Sequence, residues 1–317
     1  MTKRQIVLLA SRLVQVLPVV VLATVVIFGL LQLVPGDPAA VIAGEYATAE
    51  RIAEIRHQLG LDQPLWRQYL GWLFAAMHGD LSTSLITGQP VVEEVLRRLP
   101  NTLLIVCGAL MLSISVGVPL GLTAATHVDS PVDRVVTTIA SLGVAVPNFW
   151  FGMILVGFFA LGLGLFPTTG AASLFQDPRA AVMHAALPSV ALAMGGTAEI
   201  ARQLRSAMIE VLGSQYVRTL HAKGLPQSSI LWRHGLKNVS LTLLTVIGLV
   251  FNRTLGATVA IEAVFAIPGT GTLVVTSATN KDFPIVQGTV FVLVMIVIGC
   301  NLLIDLLCTV LDPRVDK

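Results

Sequence analysis

Residues 102–126 read TLLIVCGALMLSISVGVPLGLTAAT, a run without one charged side chain. A helix rises about 1.5 Å per residue, so about 20 apolar residues cross a hydrocarbon core near 30 Å, and this run is long enough. The same criterion selects Leu9–Val34, Val135–Phe166, His184–Leu204, Val239–Phe265 and Ile285–Val310. An all-α membrane protein with six transmembrane helices is therefore expected. Pro147 lies inside the third stretch, where it removes a backbone donor and crowds the preceding turn, so a kink or break near Val146–Asn148 is predicted.

The composition agrees with the bilayer as solvent. Of 317 residues, 55% are hydrophobic and 12% charged, against about 25% charged in soluble domains. A net charge of +2, with basic residues scattered among apolar runs, excludes a nucleic-acid surface. Cys107, Cys300 and Cys308 fall in apolar segments and read as small buried hydrophobes, with no disulfide framework or thiolate metal site. Lys3, Arg4 and Arg12 precede an apolar stretch that outlasts the ~7–15 residues of a secretion signal. That stretch is read as a retained first span.

Lysine and arginine in the short loops set the orientation. An N-terminus inside gathers Lys3, Arg4, Arg12, Arg134, Arg202, Arg205, Arg218, Lys223, Arg233, Lys237, Arg314 and Lys317 on one side, which predicts both termini in the cytoplasm. The first outer segment, residues 35–101, is patterned as helices. Thr48 caps one whose Ile52, Ile55 and Leu59 share a face and which Gly60 ends; a second starts near Asp62 and Pro64 and ends near Gly79; a third, short one runs from Pro90 to Arg98. Such a segment covers the outer ends of the spans. Its eight carboxylates against five arginines add a second reading, a docking surface for an extracytoplasmic partner borne by Asp37, Asp62 and Asp80.

The inner loop 205–238 is longer than a turn needs and reads as two short helices separated by Gly224-Leu225-Pro226. Gly allows left-handed backbone and Pro forbids continuation, so a corner is expected. Positive charge is common to any inner loop, but a helix–corner–helix is not, and it suggests a rigid lever at the membrane surface. The chain has no GxxxxGK phosphate loop, HExxH pair or GxSxG elbow, and its six histidines stand apart. ATP hydrolysis and membrane-enzyme chemistry thus lack their usual residues. Glu199, Arg253, Glu262 and Asp305 are ionisable residues inside spans. A guanidinium facing lipid costs at least about 2.5–3.5 kcal/mol, so Arg253 is expected to face a water-filled path or a polar partner.

Four stretches carry a family resemblance: Leu33-Val34-Pro35-Gly36-Asp37-Pro38; Arg98-Leu99-Pro100-Asn101-Thr102-Leu103; Tyr216-Val217-Arg218-Thr219 with Ala222-Lys223-Gly224-Leu225; and Val264-Phe265-Ala266-Ile267-Pro268-Gly269 with Asp282-Phe283-Pro284. A closing Leu311-Asp312-Pro313-Arg314 fits as well. In this order the chain resembles, over nearly its whole length, the first permease subunit of the peptide/nickel branch of bacterial ABC importers. Three positions depart from the family: Leu220 stands where alanine is usual, Thr242 where proline often opens the fifth span, and Ser82 where glycine is common.

The resemblance implies a type I ABC importer permease fold with a helical extracytoplasmic insertion after the first helix. The divisions would be 1–34 for the N-terminus and first helix, 35–101 for the insertion, and 102–317 for a five-helix core containing the coupling loop 205–238. Tyr216, Arg218, Thr219, Ala222, Lys223, Gly224 and Leu225 would couple to an ATPase, and Asn148, Arg253 and Glu262 would serve the translocation pathway. No cofactor is implied on this chain; ATP and Mg would sit on partner ATPases. The implied partners are a second homologous permease, two ATPase subunits or domains, an extracytoplasmic substrate-binding protein, peptide and membrane lipid, and the implied place is the bacterial inner membrane. Dipeptides or short oligopeptides are the expected cargo, with nickel chelates and glutathione as alternatives. An ion-coupled secondary transporter is the rival class, but no internal repeat of the kind such transporters carry stands out.

Overall fold

The computed structural model describes residues 3–33, 37–44, 46–58 and 60–311, and among them the chain is mostly helical with no strand. Helices α1 (Lys3–Leu33), α2 (Pro38–Ala43), α3 (Ala49–Gln58) and α4 (Leu65–Met77) precede the long α5 (Val91–Thr126). There follow α6 (Pro131–Ala145), α7 (Asn148–Leu155) with a π-helical continuation Val156–Gly162, and α8 (Pro178–Leu212). The remainder are α9 (Gln215–Ala222), α10 (Gln227–Ser229), α11 (Leu236–Asn238), α12 (Ser240–Val264), α13 (Thr270–Thr279) and α14 (Phe283–Leu311). Two compact units result: Met1–Pro100 with Pro268–Leu302, and Asn101–Ile267 with Leu303–Lys317.

Among the described residues α5, α8, α12 and α14 are each long and apolar enough to cross a bilayer, and α1 is apolar over Val14–Gly29. The third predicted span is broken where the sequence places a kink or break: α6 and the α7 segment meet at 98°. Pro147 lies at the junction in extended conformation, and its missing N–H leaves the α6 ladder nothing to continue with. The contacts of this pair along α8 move steadily in one direction. Asp133 at the start of α6 accepts from Arg205, Gly143 packs on Met194 and Ala198, and Gly152 on α7 packs on Ala191 and Phe265. From Arg205 to Ala191 is about 21 Å along a helix axis, so the two halves traverse a single broken span and do not turn back on themselves.

In the first unit, α1 is held to α4 from within its apolar stretch. Thr24, 1% exposed, hydrogen-bonds the Tyr69 hydroxyl at 3.0 Å, and Phe28 meets Tyr69 edge-on at 5.6 Å. Trp72 continues the stack to Phe291 of α14. A core of Ala76, Leu81, Val91, Val95, Leu273 and Ile285 lies alongside. Asp282, 3% exposed, accepts from the Ser84 hydroxyl at 2.5 Å and the Leu85 amide at 3.1 Å, which pins the turn before α5 to the start of α14. Ser82 in that turn has φ +72°, a left-handed conformation that glycine adopts without strain. The departure from the family's glycine thus falls where glycine has a physical reason.

In the second unit, small residues bring helix backbones close, as membrane helices require when hydrophobic burial no longer drives association. A Cβ on Gly117 would meet the Thr197 carbonyl at 2.9 Å, and one on Gly121 the Ala201 carbonyl at 2.8 Å. Ser113 of α5 donates to the Ala193 carbonyl of α8 at 3.2 Å, and Ser189 of α8 donates back to Ile105 at 3.2 Å. Around this seam lie two apolar clusters, one with Ile105, Leu155, Leu192, Ile261 and Phe265, the other with Leu122, Ile200, Leu204, Met208 and Val246.

Several local expectations need correction. The helix expected over Pro90–Arg98 is not separate: α5 begins at Val91 and carries Pro100 and Pro119 within it. The fourth span runs on past Arg205 to Leu212, so the inner helix pair begins only at Gln215. Its second member is irregular, two short α segments around a π turn at Ile230–Gly235. Cys107 is exposed and Cys300 and Cys308 are half-buried. Apolar segments of a membrane chain turn one face to lipid, so a cysteine there need not enter the protein core. Leu59, assigned by its spacing to a helix face, and most of Leu33–Gly36 and Leu311–Arg314 lie outside the described residues.

Candidate functional site

The break at Pro147 opens the middle of the second unit. A cavity of about 610 Å³ lies among the end of α6, the start of α7, α8 and α12, lined by Gly143, Asn148, Gly195, Glu199 and Arg253 among others. Two of the three expected pathway residues, Asn148 and Arg253, are therefore brought together. Arg253 sits near the centre of α12, is exposed, and has no hydrogen-bond or ion-pair partner among the described residues. Glu199, also on the wall, is ion-paired with Arg202 and accepts from Gln203 Nε2 at 3.0 Å. Glu262, the third, is elsewhere: it is 0% exposed and accepts from the Thr102 hydroxyl at 2.6 Å. Burying that carboxylate requires such donors, so its place is in the α5–α12 packing.

The inner corner is a Schellman motif. The Gly224 amide donates to the His221 carbonyl at 2.9 Å and the Leu225 amide to Leu220 at 3.3 Å, with Gly224 at φ +75°. The motif's apolar contact joins the residue after the glycine to the last turn. Here Leu225 packs with Leu220, Val217 and Ile230, which gives the unusual Leu220 a definite seat. Ser214 caps α9 from the other end. Tyr216, Arg218, Thr219, Ala222, Lys223 and Gly224 are all exposed, and the Tyr216 hydroxyl is bonded to His234 Nδ1 at 2.9 Å, tying α9 to the π turn. Six of the seven expected coupling residues share a solvent-facing surface on a rigid corner, and Leu225 anchors it.

The three outer carboxylates are unequal. Asp37 caps α2 through the Ala39 amide at 3.0 Å and pairs with Arg56 at 2.5 Å. Asp80 is exposed and accepts from the Ser82 amide at 2.8 Å, and Asp62 is exposed. Asp37 and Asp80 open on one cavity of about 770 Å³ shared with Arg56 and Arg67; Asp62 is not in its lining.

One pair went unread in the sequence. Arg205 Nε and Nη2 donate to the two carboxylate oxygens of Asp133 at 2.5 and 2.6 Å, a bidentate bridge from the start of α6 to α8. The residues are 72 positions apart and leave no local pattern. The Gly117-x-x-x-Gly121 spacing on α5 was legible, as a small-residue contact motif. No group of three or more potential metal ligands occurs among the described residues.

A helical membrane chain of this layout has the fold of an ABC importer permease. It is similar to a chain of the MetNI methionine ABC transporter in an inward-facing conformation, with a TM-score of 0.57 and 17% identity over 69% of this chain and 96% of that one. Residues 117–317 match the binding-protein-dependent transport system inner membrane component family and residues 5–106 its N-terminal region, and the chain belongs to that family. It is 39% identical over 308 residues to a permease protein of an inferred peptide transport system in Brucella abortus, covering 97% of this chain and 98% of that protein. The oligopeptide transport system permease protein AppB of Bacillus subtilis is 35% identical, over 95% of this chain and 96% of that protein. The glutathione transport system permease protein GsiC of Salmonella typhi is 36% identical, over 96% and 97%. The chain is thus a multi-pass permease subunit of an inner-membrane transport system.

Proposed function

We infer that the chain is one of two permease subunits of an ATP-driven importer of dipeptides or short oligopeptides. It forms half of the translocation path, with both termini in the cytoplasm, and performs no catalysis itself. ATP and Mg are bound by two partner ATPase subunits or domains, and an extracytoplasmic binding protein delivers the peptide. The observation that carries this reading is similarity to peptide permeases over almost the full length of both chains. The corner at Gly224 supports the ATPase contact, since it is rigid, exposed and continuous with a span. Asp62 and Asp80 offer exposed carboxylates to the binding protein, whereas Asp37 is committed to its cap and to Arg56. Glutathione is the second reading, favoured by the likeness to GsiC.

The test is uptake by the complex reconstituted in vesicles with its ATPases and binding protein. ATP inside the cytoplasmic-side compartment should drive accumulation of a labelled dipeptide or oligopeptide, and excess glutathione should compete poorly. Accumulation driven by an ion gradient without ATP would overturn the importer reading, and strong competition by glutathione would move the cargo to that alternative.

A further inference from the structure

Pro147 has no N–H, so the Gly143 carbonyl one turn earlier loses its usual helical donor. That oxygen and Asn148 Oδ1 converge on one spot. A Cβ on Gly195 would lie 3.9 Å from the first and 3.7 Å from the second, and because position 195 is glycine the space between them stays open. Glu199, whose oxygens also accept from Arg202 and Gln203, stands one turn along α8 from Gly195 and lines the same cavity. One part of the wall is thus rich in acceptors, the condition a primary ammonium needs. The α12 wall supplies the opposite: the Arg253 guanidinium, five donors with no partner among the described residues.

We propose that this cavity holds a peptide by its two charged termini, the α-ammonium at Gly143 O, Asn148 Oδ1 and Glu199, and the α-carboxylate at Arg253. The inference rests on the peptide-import reading above. A site that grips only the termini reads no side chain, which suits a path serving many peptides whose selection lies with a binding protein. The cavity volume of about 610 Å³ is in the range of sites for small ligands, roughly 300–1,000 Å³.

The experiment compares uptake of one dipeptide as free acid, C-terminal amide and N-acetyl derivative, by wild-type, Arg253→Gln and Asn148→Leu complexes. The same binding protein serves every complex, so its own preference cancels in the ratio of variant to wild type. Arg253→Gln should depress the free acid roughly tenfold more than the amide, the scale of one lost charge-assisted hydrogen bond. Asn148→Leu should depress the free amine more than the N-acetyl peptide. Equal losses for all three substrates would assign Arg253 to helix packing or to a carboxylate of the second permease and overturn the proposal.

If the wild-type complex refuses the blocked peptides, rescue decides. With Cys107, Cys300 and Cys308 replaced by serine, Arg253→Cys is treated with aminoethyl methanethiosulfonate; the thiolate displaces methanesulfinate and the mixed disulfide carries an ammonium. Uptake of the free acid should recover severalfold, and the methyl reagent, which adds no charge, should not restore it. Equal effects of the two reagents would reject the site. Failure of any peptide to enter through the wild-type complex would instead reject peptide import itself.

Discussion

Cutting the bridge between Asp133 and Arg205 should destabilise the second unit unequally from its two ends. Asp133 is 5% exposed at its side chain and Arg205 26%. Losing one partner of a buried pair costs about 3–5 kcal/mol, whereas an exposed pair is worth about 0–1. Arg205→Met strands the buried carboxylate with the Asp129 amide at 3.0 Å and the Thr137 hydroxyl at 3.3 Å as its remaining donors, which places its cost near 3 kcal/mol. Asp133→Asn leaves a guanidinium that can swing toward water, so about 1–2 kcal/mol is expected. At roughly 2 °C per kcal/mol for a chain of this size, the thermal midpoint of the purified complex should fall by about 6 °C and about 3 °C respectively. The double variant should fall by clearly less than the sum, because the interaction is lost only once. Additive losses, or two single variants within a degree of wild type, would refute the bridge as a stabilising link.

Replacing Gly224 by valine should leave expression intact and abolish ATP-dependent uptake; no atom lies within 4 Å of an added Cβ, so asparagine, which tolerates left-handed backbone, should retain more uptake than alanine or valine. Equal uptake in all three would remove Gly224 from coupling. Ser82→Gly relieves a φ of +72° while keeping the backbone amide that donates to Asp80, and should raise stability by roughly 0.5–1 kcal/mol, read as a small upward shift of the melting midpoint; a downward shift would mean that glycine's extra freedom in the unfolded chain outweighs the relieved strain. Gly196→Ala puts a carbon 2.5 Å from Ser113 Oγ and 2.8 Å from Val250 Cγ1, and overpacking of about 1–3 kcal/mol should lower the midpoint; no change would show that α8 yields there. Reporters inserted after Gly79 and after Gln227 should signal opposite sides of the membrane, and signals from the same side would contradict the topology.

Length and hydropathy made the spans legible, since only a long apolar run satisfies both the bilayer and the backbone. Boundaries were harder. Pro100 looks like a stop, yet a helix can absorb a proline when neighbouring elements hold it, so α5 begins nine residues before it. The bend at Pro147 was expected, but its 98° angle depends on what receives α7, here Gly152 against Phe265 and Ala191. Gly224 was readable because local chemistry alone demands a left-handed residue before Pro226. Glu262 was not: a carboxylate in a span signals a pathway until a buried donor, Thr102, is found 160 residues away. Asp133 and Arg205 failed to register for the same reason, being matched only once α6 and α8 are side by side.

The sharpest consequence of the fold lies in α8, which is 35 residues of unbroken helix, Pro188 included. On this one rod stand the cavity wall at Gly195 and Glu199, the Arg205 end of the bridge to α6, and, after Leu212 and the Ser214 cap, the corner at Gly224. From Glu199 to Leu212 is about 20 Å of axis. If α9 meets an ATPase as proposed, a push there would act on a lever that reaches the cavity wall. It would also reach the α6 part of the same acceptor-rich wall, because Asp133 ties α6, whose last turn supplies Gly143, to Arg205 of α8. Arg253 stands on α12, which packs against α8 through Val246 and Val250. Only a shift of α8 and α6 relative to α12 would change the distance from Gly143 and Glu199 to Arg253, and such a shift would release a ligand held at both. The break at Pro147 leaves Asn148 on α7, which packs on Ala191 of α8 and on Phe265, so a shift of α6 against α7 would also part Gly143 from Asn148 and take apart the ammonium end of the site.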